Sequence, residues 1–223
     1  MHSENELGYQ TRSDGFGILY GEIAGALIER CGRNGMGIVR KAVAAYGKKK
    51  GKRLREQYMG SGVRTDLHNL MAAEDGCWKD PRTLKTTVRD TPEAQLWEIY
   101  SCPLEKNWRD RGREEAGRLY CEEYLHALMD GYGEGAGQAN VSNSKTCRRD
   151  DRCVMAMYCR TANQNETQKG TGDGNGIIRE IPVEESTLLL YRCFIEVMKE
   201  EKDAEVVAAV TYGIKNGAEI MAE

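Results

Sequence analysis

The chain has 223 residues with 32 basic and 35 acidic side chains, a formal net charge of −3 and 7% aromatic residues. That length suits one large domain with a buried core, or one domain with an added terminal element, and the near balance of charge speaks against a nucleic-acid binder, which needs a basic excess over a whole face. No stretch approaches the roughly 18 apolar residues of a membrane span, and Met1-His2-Ser3-Glu4 opens no secretory signal, so the expected location is cytoplasmic with the eight cysteines reduced.

Residues 1–12 read as frayed, with Ser13 and Asp14 as caps of a helix that starts near Gly15. Ile18, Leu19, Ile23, Ala24, Leu27 and Ile28 recur at helical spacing, and Gly32, Asn34 and Gly35 break the pattern. A second helix carries Ile38, Val39, Ala42, Val43 and Tyr46 on one face and ends by about Gly60. Its basic run, Lys48 to Arg55, reads as a solvated face that matches the negative end of the helix. Leu67, Leu70 and Met71 suggest a short helix.

From Thr83 the period changes to two. Leu84, Thr86 and Val88, then Leu96, Glu98 and Tyr100, alternate around an Asp90-Thr91-Pro92 turn, which predicts a hairpin of residues 83–90 and 94–101. Pro103 ends the second strand, and a helix is expected over residues 112–130, stopped by the glycine-rich stretch 131–137. A second strand pair is expected at 138–145 and 153–160, turning through Arg148 to Arg152. Residues 161–176 are polar and glycine-rich and read as a linker or loop. Helices over 183–201 and 203–221, with Asp203 as the cap between them, close the chain as a helical hairpin. The order predicts an α+β fold: N-terminal helices, an antiparallel sheet of two hairpins around a central helix, and the C-terminal hairpin. The divisions are 13–160 for the α+β domain, 161–176 for the linker or loop, and 177–223 for the hairpin, which packs on the domain or on a partner subunit.

Neither glycine cluster is a nucleotide motif. Gly32 to Gly37 follows a helix and not a strand, and Gly170 to Gly176 lacks the Gly-Lys-Ser/Thr ending of a phosphate loop. His2, His68 and His126 form no His-Glu-x-x-His pattern, and the cysteines contain no Cys-x-x-Cys. Cys102, Cys121 and Cys153 fall at a strand end, in the central helix and at the start of the last strand, where a sheet and a packed helix bring residues together. Three readings stay open for them: small buried packing residues, a reactive thiol, or a thiolate metal site that Cys147 or Cys159 would join. Cys31, Cys77 and Cys193 read as structural. Glu122 and Glu123 follow Cys121, and only one of them can share its face of the helix.

Several of these segments have a familiar look together. Ser-Cys-Pro at 101–103, Trp108, Leu-Tyr-Cys-Glu-Glu at 119–123, Gly131-Tyr132, the Lys-Thr-Cys-Arg-Arg-Asp-Asp-Arg-Cys run at 145–153 and the Tyr-Gly-Lys-Lys-Lys-Gly-Lys-Arg run at 46–53 resemble the L-2-amino-thiazoline-4-carboxylic acid hydrolase family over about residues 17–160. The element order is also similar to the wider vinyl-reductase-like small-ligand-binding domains. Two positions depart from the family pattern. Leu125 stands where family members commonly carry an aspartate four residues after the helix cysteine, and Arg149 stands where the final turn has a glycine. His126 and Asp130 are the nearby groups that could compensate.

The resemblance implies hydrolysis of a C–N bond in a small cyclic amidine-like substrate. A Cys121 or Cys102 thiolate would add to the ring carbon, and Glu122 would protonate the leaving nitrogen. Arg118, Arg149 or Arg152 would hold a substrate carboxylate, with Cys153 and His126 beside it. No cofactor, metal, nucleic acid or membrane is expected as a partner; the partners expected are the small-molecule substrate and a second copy through the C-terminal helices. The alternative is a non-catalytic ligand binder, or a thiolate metal binder, on the same scaffold.

Overall fold

The computed structural model describes residues 4–61, 66–73, 77–142, 151–160 and 181–222. The elements, in chain order, are α1 (Glu4–Ser61), α2 (Leu67–Ala73), a single 3-10 turn (Cys77–Lys79), β1 (Leu84–Thr91), β2 (Ala94–Ser101), α3 (Pro103–Asp110), α4 (Glu114–Gly133), β3 (Gly137–Ser142), β4 (Cys153–Cys159), α5 (Val183–Glu201) and α6 (Ala204–Ala222). The fold class is α+β, as the sequence periods indicate. The linker or loop assigned to 161–176, most of the turn before Arg152, and Arg149 lie outside the described residues.

Helix α1 is two arms joined at Gly32, whose φ of 55° and ψ of −127° open a corner that a Cβ would resist. The arms run back along each other, because the ring of Phe16 before the corner comes 6.3 Å from that of Tyr46 after it. The frayed start and the cap at Ser13 and Asp14 are corrected: the helix passes through both residues. The Asp14 carboxylate instead takes a 3.0 Å bond from Arg82, which also reaches the Gln10 carbonyl and so ties this segment down.

The second arm of α1 lies in backbone contact with α4. A Cβ on Gly51 would stand 2.1 Å from the Leu128 carbonyl oxygen, and one on Gly131 would stand 2.2 Å from that of Lys48. Only glycine allows two helices this close. Helix α3 is a further correction, since the sequence reading ends a strand at Pro103 and places nothing before 112. Proline at the first helical position starts α3 there, its missing N–H costing nothing in a turn whose N–H groups lack helical partners. Helix α4 outruns the expected stop by running into the glycine stretch as far as Gly133, and Glu134 caps it in the left-handed conformation.

The sheet has the order β1-β2-β4-β3, antiparallel throughout. Ile99 faces Cys153 and Trp97 faces Met155 across the central pair. Trp97, Ile99, Cys153 and Met157 turn inward and join the helical core. The core itself is aromatic. Trp108 donates its indole N–H to the Gly17 carbonyl at 2.9 Å, and Tyr20 donates its hydroxyl to the Ala116 carbonyl at 2.6 Å. Each such ring contributes about 1.5–3 kcal/mol by burial, provided its polar tip is satisfied.

Helices α5 and α6 both pack chiefly on α1 and less on each other. At Gly213 of α6 a Cβ would meet the Ile23 backbone at 2.5 Å. Beside it, Glu22 accepts hydrogen bonds from Asn216 at 2.7 Å and from Arg113 at 2.8 Å, which links α6, α1 and the start of α4. Asp203 caps α6, its carboxylate accepting from the Glu205 N–H at 2.8 Å. Among the described residues, no helix is long and apolar enough to cross a membrane.

Candidate functional site

Ala42, Tyr46, Lys50, Leu54 and Tyr58 follow one another every four residues on α1, and all are buried. Four-residue spacing keeps them on one stripe of the helix. Lys50 therefore points inward and is only 2% exposed, although the sequence reading assigned its whole run to solvent. That expectation is corrected at Lys50 and Arg55, both buried. It holds better for their neighbours, which pair across the surface: Lys48 with Asp130 at 2.8 Å, Lys49 with Glu196 and Arg53 with Glu185.

Lys50 lines a cavity between α1, α3, α4, β4 and the start of α5. Phe16, Tyr46, Trp78, Trp108, Tyr120 and Tyr124 give it aromatic walls. Tyr124 stacks on Tyr46 with ring centroids 5.3 Å apart and on Tyr120 at 5.0 Å. The Lys50 ammonium sits 5.7 Å from the Tyr124 ring centre, within the range of cation–π attraction.

Cys102 and Cys121 also line this cavity, both half-buried. Cys102 is the residue before Pro103, which holds it extended (φ −130°, ψ 118°) at the N-terminal cap of α3. Negative charge there faces the positive end of that helix. Cys121 shares a face of α4 with Tyr124 and Leu125, one turn on, and both of these line the cavity too. Leu125 thus brings an apolar side chain to the position where the sequence comparison expects an aspartate.

The remaining sequence candidates fall elsewhere. Cys153 is buried in the core opposite Ile99, and Met155, two residues on, reaches the cavity. Glu122 is not in the lining. It binds Arg40 at 2.5 Å and Arg118 at 2.5 Å, while Glu123 pairs with the other nitrogen of Arg40. Burial pushes the Glu122 carboxyl up, but the two guanidiniums outweigh it and hold the group below its ordinary range. Arg118 is also taken by Glu115, at 2.9 Å. Arg152 binds Glu98 at 3.1 Å, on the rim of the sheet. His126 is exposed, and Asp130 is paired with Lys48. Cys193 is fully buried against α1, and burial pushes its thiol up to about 11. Cys147 and the side chain of Cys77 lie outside the described residues. Among the described residues, no three Cys, His, Asp or Glu side chains stand together to hold a metal ion.

Sequence reasoning missed Lys50, the aromatic walls, and Val183 and Ser186 of α5, which close one side of the cavity. The signal for Lys50 was its place in the four-residue ladder. Ser186 carried the same signal, because it lies on the buried stripe Val183, Ser186, Leu190, Cys193 and Val197.

The model of the L-2-amino-thiazoline-4-carboxylic acid hydrolase family matches residues 16–164, more than half of the chain. No curated protein and no solved structure matches it. The matched segment spans α1 from Phe16 through β4, and so contains every residue of the cavity lining except Ser13, Val183 and Ser186.

Proposed function

We propose, from the premise that the chain belongs to the L-2-amino-thiazoline-4-carboxylic acid hydrolase family, that it opens the ring of a small 2-amino-thiazoline-4-carboxylate-like substrate by hydrolysis, with a cavity cysteine as nucleophile. The observation that carries this reading is that Cys102 and Cys121 line one aromatic-walled cavity together with Lys50.

The chemistry is balanced without a redox partner. A thiolate adds to the amidine carbon and pushes the C=N π pair onto the ring nitrogen, which takes up a proton; the exocyclic amino lone pair then re-forms a C=N bond as the ring C–N bond breaks, and a second proton lets the ring nitrogen leave as an amine. Water then adds to the same carbon and expels the thiolate, so the net change is the gain of one water. The aromatic walls suit a flat unsaturated ring, and exclusion of water from them strengthens every charge contact inside.

Incubation of the full chain with L-2-amino-thiazoline-4-carboxylate tests the reading. A product heavier by one water and carrying a new amine is expected; a new free thiol would mean that the ring opens at its C–S bond instead. Turnover by a Cys102→Ser, Cys121→Ser double variant at the wild-type rate would sink the thiolate scheme. The second reading, a ligand binder without turnover, is favoured by Leu125 in the lining, since an apolar residue there can move no proton. Saturable binding without product would select it. Self-association through the C-terminal helices is compatible with either reading, with Leu188, Val207 and Met221 exposed on them, and sedimentation of the full chain tests it.

A further inference from the structure

Val183 and Ser186, in the first turns of α5, line the cavity but lie outside the segment that matches the family. Ser186 is 3% exposed, and its hydroxyl has no hydrogen-bond partner among the described residues. Buried hydroxyls nearly always have one. The turn that carries it is also uncapped: the cap position is Pro182, which supplies no side-chain acceptor for the first N–H groups of the helix. Such a turn attracts an anion.

Two carboxylates in the same turn point elsewhere. Glu184 is exposed and pairs with Arg12 at 2.8 Å, and Glu185 is exposed and pairs with Arg53. The Arg53–Glu185 pair also sets the two helices level with each other. Lys50 precedes Arg53 by one turn of α1, and Ser186 follows Glu185 on α5, so the buried cation and the buried hydroxyl come into one cavity from facing helices.

We propose that the start of α5 forms the carboxylate-binding end of the cavity, with the Ser186 hydroxyl donating to the carboxylate and Lys50 as its counter-charge. The proposal rests on the reading of the cavity as the substrate site, and it assigns recognition of the acid group to a helix beyond the family-matched segment. The ligand it selects is a small carboxylate whose remaining atoms are flat and weakly polar, to match the aromatic walls.

The test compares two alkylating reagents on the full chain, iodoacetate, which carries a carboxylate, and iodoacetamide, which is neutral. Labelling of Cys102 and Cys121 is followed by mass spectrometry. The ratio of iodoacetate to iodoacetamide rates is expected to be higher in the native chain than at the same cysteines in denaturant. Ser186→Ala is expected to lower that ratio about tenfold, as loss of one hydrogen bond to a charged group does. Ser186→Thr, which keeps the hydroxyl, is expected to retain it, and Lys50→Met to abolish the preference. An unchanged ratio in Ser186→Ala, equal slowing of both reagents, or no labelling of either cysteine overturns the proposal. The hydrolase reading fails separately. If the ratio responds as described but L-2-amino-thiazoline-4-carboxylate is not turned over, the carboxylate end stands and the reaction falls. If turnover occurs and Ser186→Ala leaves both the ratio and KM unchanged, the reaction stands and the carboxylate end falls.

Discussion

Replacing Gly51 by alanine sets a methyl carbon 2.1 Å from the Leu128 carbonyl oxygen, roughly 0.9 Å inside the closest approach such atoms make. The neighbour is backbone and cannot rotate away, so α1 and α4 must separate along their seam. Overpacking of this kind costs about 1–3 kcal/mol, and a backbone neighbour puts the cost near the upper end. Alanine returns about 1 kcal/mol of helix propensity, which leaves a net loss of about 2 kcal/mol. For a domain of this size each 1 kcal/mol moves Tm by about 2–4 °C, so Gly51→Ala is expected to melt about 4–8 °C lower. Gly37→Ala is the control. It lies in the same arm of α1 with nothing within 4 Å of the added carbon, so it keeps only the propensity gain and melts about 2–4 °C higher. Thermal melts followed by far-ultraviolet circular dichroism decide it. If Gly51→Ala raised Tm as Gly37→Ala does, the two helices would not be in backbone contact, and the placement of Lys50 beside the cavity would lose its foundation.

Arg113→Met is expected to cost about 3–5 kcal/mol at neutral pH, because it strands the Glu22 carboxylate, which is 4% exposed. Burial pushes the Glu22 carboxyl up, but Arg113 and Asn216 outweigh it and hold it below its ordinary value of 4.5. The stabilisation is therefore present above that value and lost as pH falls through the lower, folded-state one, so the gap between wild type and variant must narrow in melts taken below about pH 4.5; a gap that stays constant refutes the assignment. The His68 imidazole, raised by its 3.0 Å bond to Asp90, is expected to titrate above 6.5 by nuclear magnetic resonance, and Asp90→Asn to bring it back down. No drop in Asp90→Asn would show that the pair does not form in solution. Cys193, fully buried and raised to about 11, is expected to resist iodoacetamide at pH 8 until the chain unfolds, while Cys102 and Cys121 react first. Native labelling of Cys193 would mean that α5 does not pack on α1.

The periodic parts of the fold were legible. The two-residue alternation around Pro92 placed β1 and β2 within a residue or two of their observed ends, and Gly32 marked the corner of α1. Boundaries failed where a residue had two roles. Pro103 stops a strand and starts a helix, and Ser13 is a good cap residue that here lies inside a helix against the cavity. In the candidate site, Cys102 and Cys121 stood out by their places at a strand end and in the central helix, as did Cys153 at the start of the last strand, which the fold buries in the core beside the cavity instead. Lys50 did not stand out, because a lysine between lysines looks solvated; only its spacing from Tyr46 and Leu54 betrays which way it points. Glu122 looked like an acid partner from its adjacency to Cys121. Its neighbours in space are Arg40, on α1 and too far away in sequence for adjacency to reveal, and Arg118, one turn back on α4, whose four-residue spacing was there to read.

The reliance of α1 on α5 and α6 has a consequence for the timing of synthesis. The bonds from Lys49 to Glu196 and from Asn216 to Glu22 join residues 147 and 194 positions apart. At ribosomal rates the interval between making the two sides of these contacts is roughly seven to forty seconds. For that time the first arm of α1 is on the outside of the ribosome with Ile23, and the buried side of Glu22, still facing water. The nascent chain must wait in a partly closed state whose apolar helix face invites a chaperone, and it can complete its cavity only when the start of α5 arrives.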